Sequence, residues 1–161
     1  MKENRRVSGQ AIRETIGIIG VVASLVFVGL EIHQNTAVAR GQTRQELAAL
    51  NQEWLILVAT DTVFDSAFRK RWVEPNASPT PSEVFRADFG MRINLRRLEN
   101  IYFQFEEDLV DRSALKSYGF QVSPVYQSPK FKEWWFAGKE REAFDPNFVS
   151  YFEEHFNLSP E

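Results

Sequence analysis

An uncharged stretch near the start of the sequence, from Ile16 to Leu30, restricts most strongly what the chain can fold into. Ten of its fifteen residues are Ile, Leu, Val or Phe, and Ser24 is its only polar side chain. Transfer of ten such side chains into a bilayer is favourable by about 3–6 kcal/mol. The run is about 22 Å long as a helix, and Ile32 extends it toward the roughly 30 Å of a bilayer core. We therefore predict a transmembrane helix over residues 16–32.

Two other interpretations of this stretch stay open at the level of sequence. A secretion signal also combines a basic start, an apolar centre and a small-x-small cleavage site, and Ala37-Val38-Ala39 provides such a site. That site lies nine residues beyond the apolar run, with Glu31 and His33 between them. Alternatively, a soluble domain could bury the helix on every side, which requires a large core from the 130 residues that follow.

Positive charge is concentrated before the apolar run. Residues 1–15 form a basic tail of net charge +2, whereas the chain from residue 31 onward carries −5. Four basic side chains precede the run, and two follow it within fifteen residues: Lys2, Arg5, Arg6 and Arg13, then Arg40 and Arg44. Basic residues stay on the cytoplasmic side, so we expect a single-pass protein of a bacterial inner membrane with a periplasmic C-terminal domain. The acidic domain argues against a nucleic-acid partner.

Small residues mark one face of the predicted membrane helix. Gly17, Gly20 and Ser24 follow one another at i, i+3 and i+7. Such faces allow membrane helices to approach closely. We predict that this face packs against a second helix and supports a homo-oligomer, although glycine is also simply common in membrane helices.

The chain from residue 43 to residue 161 has helical spacing and no sustained strand-like alternation, so we predict an all-α domain. Gly41 is expected to end the first helix. A capping box of Thr43 and Glu46 is expected to begin the next helix, which continues toward residue 72 with a kink near Asp61. Three prolines in residues 74–82 predict a loop.

A second long helix is predicted from Pro81 onward. Six apolar residues follow one another at heptad spacing: Met91, Leu95, Leu98, Tyr102, Phe105 and Leu109. We expect this seam to pack against the 43–72 helix, which gives two long antiparallel helices, although a second chain could use the same seam. Asp111 and Asp145 are expected to start shorter C-terminal helices.

The sequence shows no catalytic apparatus. It has no cysteine, and its two histidines, His33 and His155, have no partner at metal-ligand spacing. We therefore assign no catalytic, metal-binding or cofactor-binding residue. The most suggestive cluster contains Trp134 and Trp135, which point about 100° apart on a helix. Core packing is the simpler interpretation, and contact with a partner or lipid is the alternative.

Two segments resemble a family of short uncharacterised bacterial proteins. One is VGLEIHQNTAVAR, at the end of the hydrophobic helix, and the other is the C-terminal EWWFAGKEREAFDPNFVSYFEEHF. In that family a hydrophobic helix ends in a Gly-x-x-Ile-x-Gln-Asn-Thr-like stretch, and a small helical domain follows. The matching positions are Gly29, Ile32, Gln34, Asn35 and Thr36. The resemblance implies this architecture but no activity.

Two functions fit these observations. The first is a non-enzymatic, membrane-anchored helical interaction protein of a bacterial envelope, whose charged and aromatic side chains on helix faces supply a partner surface. A closed core with an exposed aromatic stripe would favour it. The second is a tethered domain that binds a small ligand or lipid, with or without hydrolysis. A deep pocket with inward-pointing carboxylates or His155 would favour the second.

Overall fold

The computed structural model describes residues 9–120, 123–137 and 140–160. These residues are helical or in loops and contain no strand, which confirms the all-α prediction. The helices are α1 (Gly9–Thr60), α2 (Thr62–Phe68), a π-helix (Arg69–Val73), α3 (Pro81–Glu106), α4 (Arg112–Tyr118), α5 (Pro129–Ala137), a 3-10 turn (Arg141–Ala143) and α6 (Pro146–Phe156). The chain divides into two units between Gly41 and Gln42. Three basic residues of the predicted tail lie outside the described residues: Lys2, Arg5 and Arg6.

The first unit contains the apolar run as part of α1. Its side chains are open to the surroundings, and Leu25 and Phe27 are 66% and 67% exposed. The most apolar 18-residue window of the helix has a mean hydropathy of 2.3 and is 0% buried. Among the described residues this is the one helix long and apolar enough to cross a membrane. The soluble interpretation requires a buried helix, whereas the apolar window of α1 is 0% buried among the described residues.

The predicted helix end at Gly41 is wrong, because α1 continues through this residue. Glycine within a helix is less favourable than alanine by only about 1 kcal/mol, which the surrounding helical residues offset. Thr43 therefore lies inside a helix and caps nothing. The break occurs at Asp61, whose carboxylate accepts hydrogen bonds from the backbone N–H groups of Val63 and Phe64 at 3.0 and 2.9 Å. This N-cap begins α2 and confirms a kink at the predicted position.

Helix α3 begins as predicted, at a capping box. Thr80 Oγ1 accepts the Glu83 backbone N–H, and the Glu83 carboxylate accepts the Thr80 N–H at 2.7 Å. The first four residues of the predicted seam are buried, and Met91, Leu95 and Leu98 are 0% exposed. Phe105 is half-buried, and the predicted extension to Leu109 is wrong, because the helix ends at Glu106. The helix packs chiefly against α2 and α4. The buried side chains of the seam are thus covered by other residues of this chain, and their burial requires no second chain.

The aromatic core joins the π-helix, α5 and α6. Trp134 packs edge-on against Trp72, with ring centroids 5.4 Å apart, and Trp135 stacks on Phe131 at 6.1 Å. Trp134 is 8% exposed and Trp135 is 0% exposed. The Trp135 indole N–H donates to the Glu153 carboxylate at 2.8 Å. Core packing therefore accounts for the burial of both rings. Contact of either ring with a partner or with lipid stays a prediction.

Candidate interaction groove

Helix α3 leaves a row of large apolar side chains on the side that faces away from its buried seam. Phe85, Phe89 and Ile93 follow one another at i, i+4 and i+8 and are 70%, 53% and 46% exposed. The two phenyl rings stack on each other, with centroids 6.2 Å apart and planes inclined by 16°. A contiguous exposed apolar row is more informative than scattered apolar residues, because large apolar patches are uncommon on the surfaces of monomeric proteins.

This row forms one wall of an open groove. The other wall comes from the C-terminal part of α1, where Leu50, Trp54 and Leu57 face it. Two adjoining cavities of about 340 and 410 Å³ make up the groove, and both are lined by Leu57 and Ile93. We call this feature the α1–α3 groove and define it by these lining residues: Leu50, Glu53, Trp54, Leu57, Asp61, Phe64, Ser82, Phe85, Arg86, Phe89, Gly90, Ile93, Arg96, Arg97 and Asn100.

The floor of one half of the groove is closed by aromatic packing. The Phe64 ring lies directly against Gly90, where a Cβ atom would come within 2.3 Å of Phe64 Cε2. Trp54 and Phe68 hold this ring from its other sides, with centroids 5.9 and 5.6 Å away. The glycine therefore permits α2 and α3 to approach closely. Beside the other half of the groove, Trp54 and Arg97 also line a smaller cavity of about 210 Å³ that reaches the buried side chains of Met91, Asn94 and Tyr126.

The other half of the groove ends at a polar cluster centred on Arg97. Its guanidinium donates to Asn51 Oδ1 at 2.8 Å, to Asn94 Oδ1 at 2.9 Å and to the Tyr118 carbonyl at the end of α4. Asn94 in turn donates to the Tyr126 hydroxyl at 2.8 Å. Burial lowers the pKa of Arg97 and raises the pKa of Tyr126 to about 12. These bonds join α1, α3 and α4 and fix the end of the groove.

Some charged side chains on the groove rim form hydrogen bonds or ion pairs, and others form neither. Arg96 forms an ion pair with Glu99 at 2.5 Å, and the Asp61 carboxylate caps α2. Glu53 lines one half and Arg86 lines the other. Within the part of the chain that the structure describes, neither of these two forms a hydrogen bond or an ion pair. The groove thus presents one free anion and one free cation, in different halves.

The predicted membrane-packing residues lie on α1, in the first unit. Ser24 Oγ donates to the Gly20 carbonyl at 2.9 Å, so its hydroxyl is satisfied within the helix. A Cβ atom at Gly17 or at Gly20 would meet no other atom within 4 Å. The face is therefore small and open, as close helix packing requires. That this face packs against another helix stays a prediction.

His155 received no catalytic or metal-binding role from the sequence, and its surroundings are as follows. His155 Nε2 lies 2.9 Å from the Phe120 carbonyl oxygen, and the imidazole stacks on Tyr151. It borders a shallow depression of about 280 Å³ with Arg112 and Glu154. Across residues 9–120, 123–137 and 140–160, no group of three or more His, Cys, Asp or Glu side chains could hold a metal ion.

Comparisons with protein-family models, with curated proteins and with solved structures found no match to this chain. The resemblance to short bacterial proteins with a hydrophobic N-terminal helix therefore stays a prediction. The α1–α3 groove and the apolar part of α1 are the two features of the described residues that bear on function.

Proposed function

We propose that this chain is a non-enzymatic, membrane-anchored helical protein of a bacterial envelope, and that its α1–α3 groove binds a protein partner. One observation carries the proposal. Phe85 and Phe89 are 70% and 53% exposed on a domain in which most other aromatic side chains belong to a closed core. An interface core is enriched in aromatic side chains surrounded by a polar rim, and this groove has that composition.

The anchor is supported by the exposure of the apolar run. Val22, Leu25 and Phe27 are 53%, 66% and 67% exposed, which is unfavourable in water and favourable in lipid. A bilayer supplies the cover that these residues lack. In this proposal α1 crosses the inner membrane once, with the N-terminus in the cytoplasm and the helical domain in the periplasm. Gly17, Gly20 and Ser24 then offer a packing face to a second membrane helix.

The form of the groove suits a helical partner. Its walls come from the two long helices that the sequence predicts to run antiparallel, and the lining residues support that course. Asp61 is on the same half as Ser82, whereas Leu50 is on the same half as Asn100. An amphipathic helix binds such a groove through apolar side chains at i, i+4 and i+7 spacing. The open sides of the groove would accept one without rearrangement.

The alternative of a ligand-binding or hydrolytic domain has less support. Asn94, Arg97 and Tyr126 could orient a small ligand in the 210 Å³ cavity that they line. They already form hydrogen bonds to one another or to backbone, and Arg97 Nε is buried without a hydrogen-bond partner. The acidic residues 106–108 are exposed on the surface and line none of the cavities described above. General acid–base catalysis needs groups aligned toward a shared substrate position, and these side chains have no such alignment.

Site-specific photo-crosslinking in cells tests the proposed partner surface. We would replace Phe89 by p-benzoylphenylalanine in the full chain and irradiate intact cells. The matched control is Phe103, which lies on the same helix, is 38% exposed and is not part of the groove. We expect a discrete protein adduct from position 89 and none from position 103. Equal adducts at both positions, or none at position 89, would contradict the proposal.

A further inference from the structure

We propose that the cavity beside the α1–α3 groove binds a small organic carboxylate, and that Arg97 pairs with its charge. This cavity of about 210 Å³ adjoins one half of the groove, because Trp54 and Arg97 line both. The inference goes beyond the proposed function: it adds a second and smaller binding site, assigns no catalysis to it and leaves the groove to the protein partner. Three features carry it: an unbalanced charge, a surplus of hydrogen-bond donors and apolar walls.

Arg97 carries a positive charge that no neighbouring anion balances. Its guanidinium donates to Asn51 Oδ1, to Asn94 Oδ1 and to the Tyr118 carbonyl, and all three acceptors are neutral. None of the described residues that line the cavity is acidic, and Arg97 forms no ion pair within the part of the chain that the structure describes. A partly buried charge without a counter-ion is unfavourable. An anion in the cavity would therefore stabilise the site and be bound by it.

The hydrogen-bonding capacity left over in the cavity belongs to donors. An arginine has five N–H donors, and the bonds of Arg97 leave the buried Nε–H and one N–H of Nη2 without an acceptor among the described residues. The Tyr126 hydroxyl accepts an N–H of Asn94 at 2.8 Å, which leaves its own proton free to donate. Nη2 and this hydroxyl bond to opposite ends of the Asn94 amide and so lie close together. A carboxylate, which only accepts hydrogen bonds, fits between them.

The other walls of the cavity are apolar and select an organic anion. They are formed by Trp54, Val58, Phe68, Met91 and Val125. Burying an apolar group against such walls is favourable, whereas a small inorganic anion would lose its hydration there without that gain. The cavity volume of about 210 Å³ exceeds the roughly 150 Å³ of an apolar cavity that holds benzene. The site therefore suits a carboxylate with one aromatic ring or a short alkyl chain, of about the size of benzoate.

Fluorine NMR of 4-fluorobenzoate with the full chain in detergent micelles at neutral pH tests this inference. Empty micelles give the background from partition into detergent. We expect the protein to broaden the fluorine line beyond that background, and unlabelled benzoate to reverse the broadening. Benzyl alcohol and benzylamine have the ring without the carboxylate, and inorganic phosphate has negative charge without the ring. None of these three should compete as benzoate does.

Two variants test the charge and the space separately. Arg97→Gln removes the charge and should weaken 4-fluorobenzoate binding by about tenfold or more. Because Arg97 also joins α1, α3 and α4, a second variant leaves it in place: Val58→Phe fills the cavity and should abolish binding. Ile56→Phe, on the same helix, is the matched control, since Ile56 is 51% exposed and lines neither the cavity nor the groove. Urea unfolding followed by tryptophan fluorescence shows which variants are folded.

Broadening that benzoate reverses, and that folded Val58→Phe loses while Ile56→Phe keeps it, supports the inference. No broadening beyond that of empty micelles would overturn it. Equal competition by benzyl alcohol or by phosphate would also overturn it, because the site would then select the ring or the charge alone. If 4-fluorobenzoate does not bind, yet folded Arg97→Gln loses the photo-adduct at Phe89, Arg97 instead pairs with a carboxylate of the groove partner. The inference would then be wrong while the proposed function stands.

Discussion

Gly90 provides the sharpest test of how the groove floor is built. A Cβ atom at this position would lie 2.3 Å from Phe64 Cε2 and 2.6 Å from Cζ. Phe64 is only 5% exposed, and the rings of Trp54 and Phe68 restrict its movement. Gly90→Ala therefore forces either the ring or the backbone of α3 to shift.

The expected effect follows from two opposing contributions. Overpacking of a buried site costs about 1–3 kcal/mol, whereas replacing a helical glycine by alanine stabilises by about 1 kcal/mol. We expect Gly90→Ala to lower the free energy of unfolding by about 1 kcal/mol, and by about 2 kcal/mol at most. Phe64→Leu removes the clashing ring atoms. In the Gly90→Ala background it should therefore cost less than in the wild type, with a coupling energy of about 1–2 kcal/mol.

Urea unfolding of the full chain in detergent micelles measures this effect. All four tryptophans lie in the unit that begins at Gln42, so tryptophan fluorescence reports the unfolding of the helical domain. The four proteins required are the wild type, both single variants and the double variant. If Gly90→Ala raises stability by about 1 kcal/mol, as alanine does in an open helix, the close approach of α2 and α3 is refuted.

Three further predictions concern the rest of the domain. Hydrogen bonds from Lys70 and Thr80 lower the pKa of Glu83 from 4.5 to about 2. Its contribution to stability is thus complete above about pH 4.5 and lost as the pH falls toward 2, and the urea midpoints of wild type and Glu83→Gln should converge over that range. Gly119→Ala should cost about 2–4 kcal/mol, measured by thermal unfolding, because Gly119 has φ +156° and its Cβ would lie 2.4 Å from Leu98. Trp135→Phe should lower the free energy of unfolding by about 1–3 kcal/mol, measured by urea unfolding, because Trp135 is 0% exposed and its indole N–H donates to Glu153.

Three helix starts were predictable from the sequence because they depend on a few adjacent residues, whereas the capping-box pattern of Thr43 and Glu46 begins no helix. Thr80, Asp111 and Asp145 each cap the helix expected of them, and their side chains accept hydrogen bonds from backbone N–H groups two or three residues later. The buried side of α3 was predictable for a similar reason, since heptad spacing fixes which side chains share a face. Such features need no information about distant residues.

Features that depend on tertiary packing could not be predicted in this way. Gly41 has the residue type of a helix end, yet the helix continues through it. Trp134 and Trp135 point in different directions, and only the positions of the π-helix and α6 determine that both are covered. The i, i+4 spacing of Phe85 and Phe89 is visible in the sequence and places both rings on one face of α3. That spacing alone does not determine whether a neighbouring helix covers the pair.

Protease protection tests the central claim, an inner-membrane anchor with an exported interaction domain, most directly. The full chain would carry a C-terminal tag and be expressed in bacterial spheroplasts that are then treated with protease. We expect a full-length, membrane-bound protein whose tag is digested without lysis. A tag protected until lysis would contradict the periplasmic orientation. A soluble exported product that lacks the first 39 residues, cut after Ala39, would contradict the anchor itself.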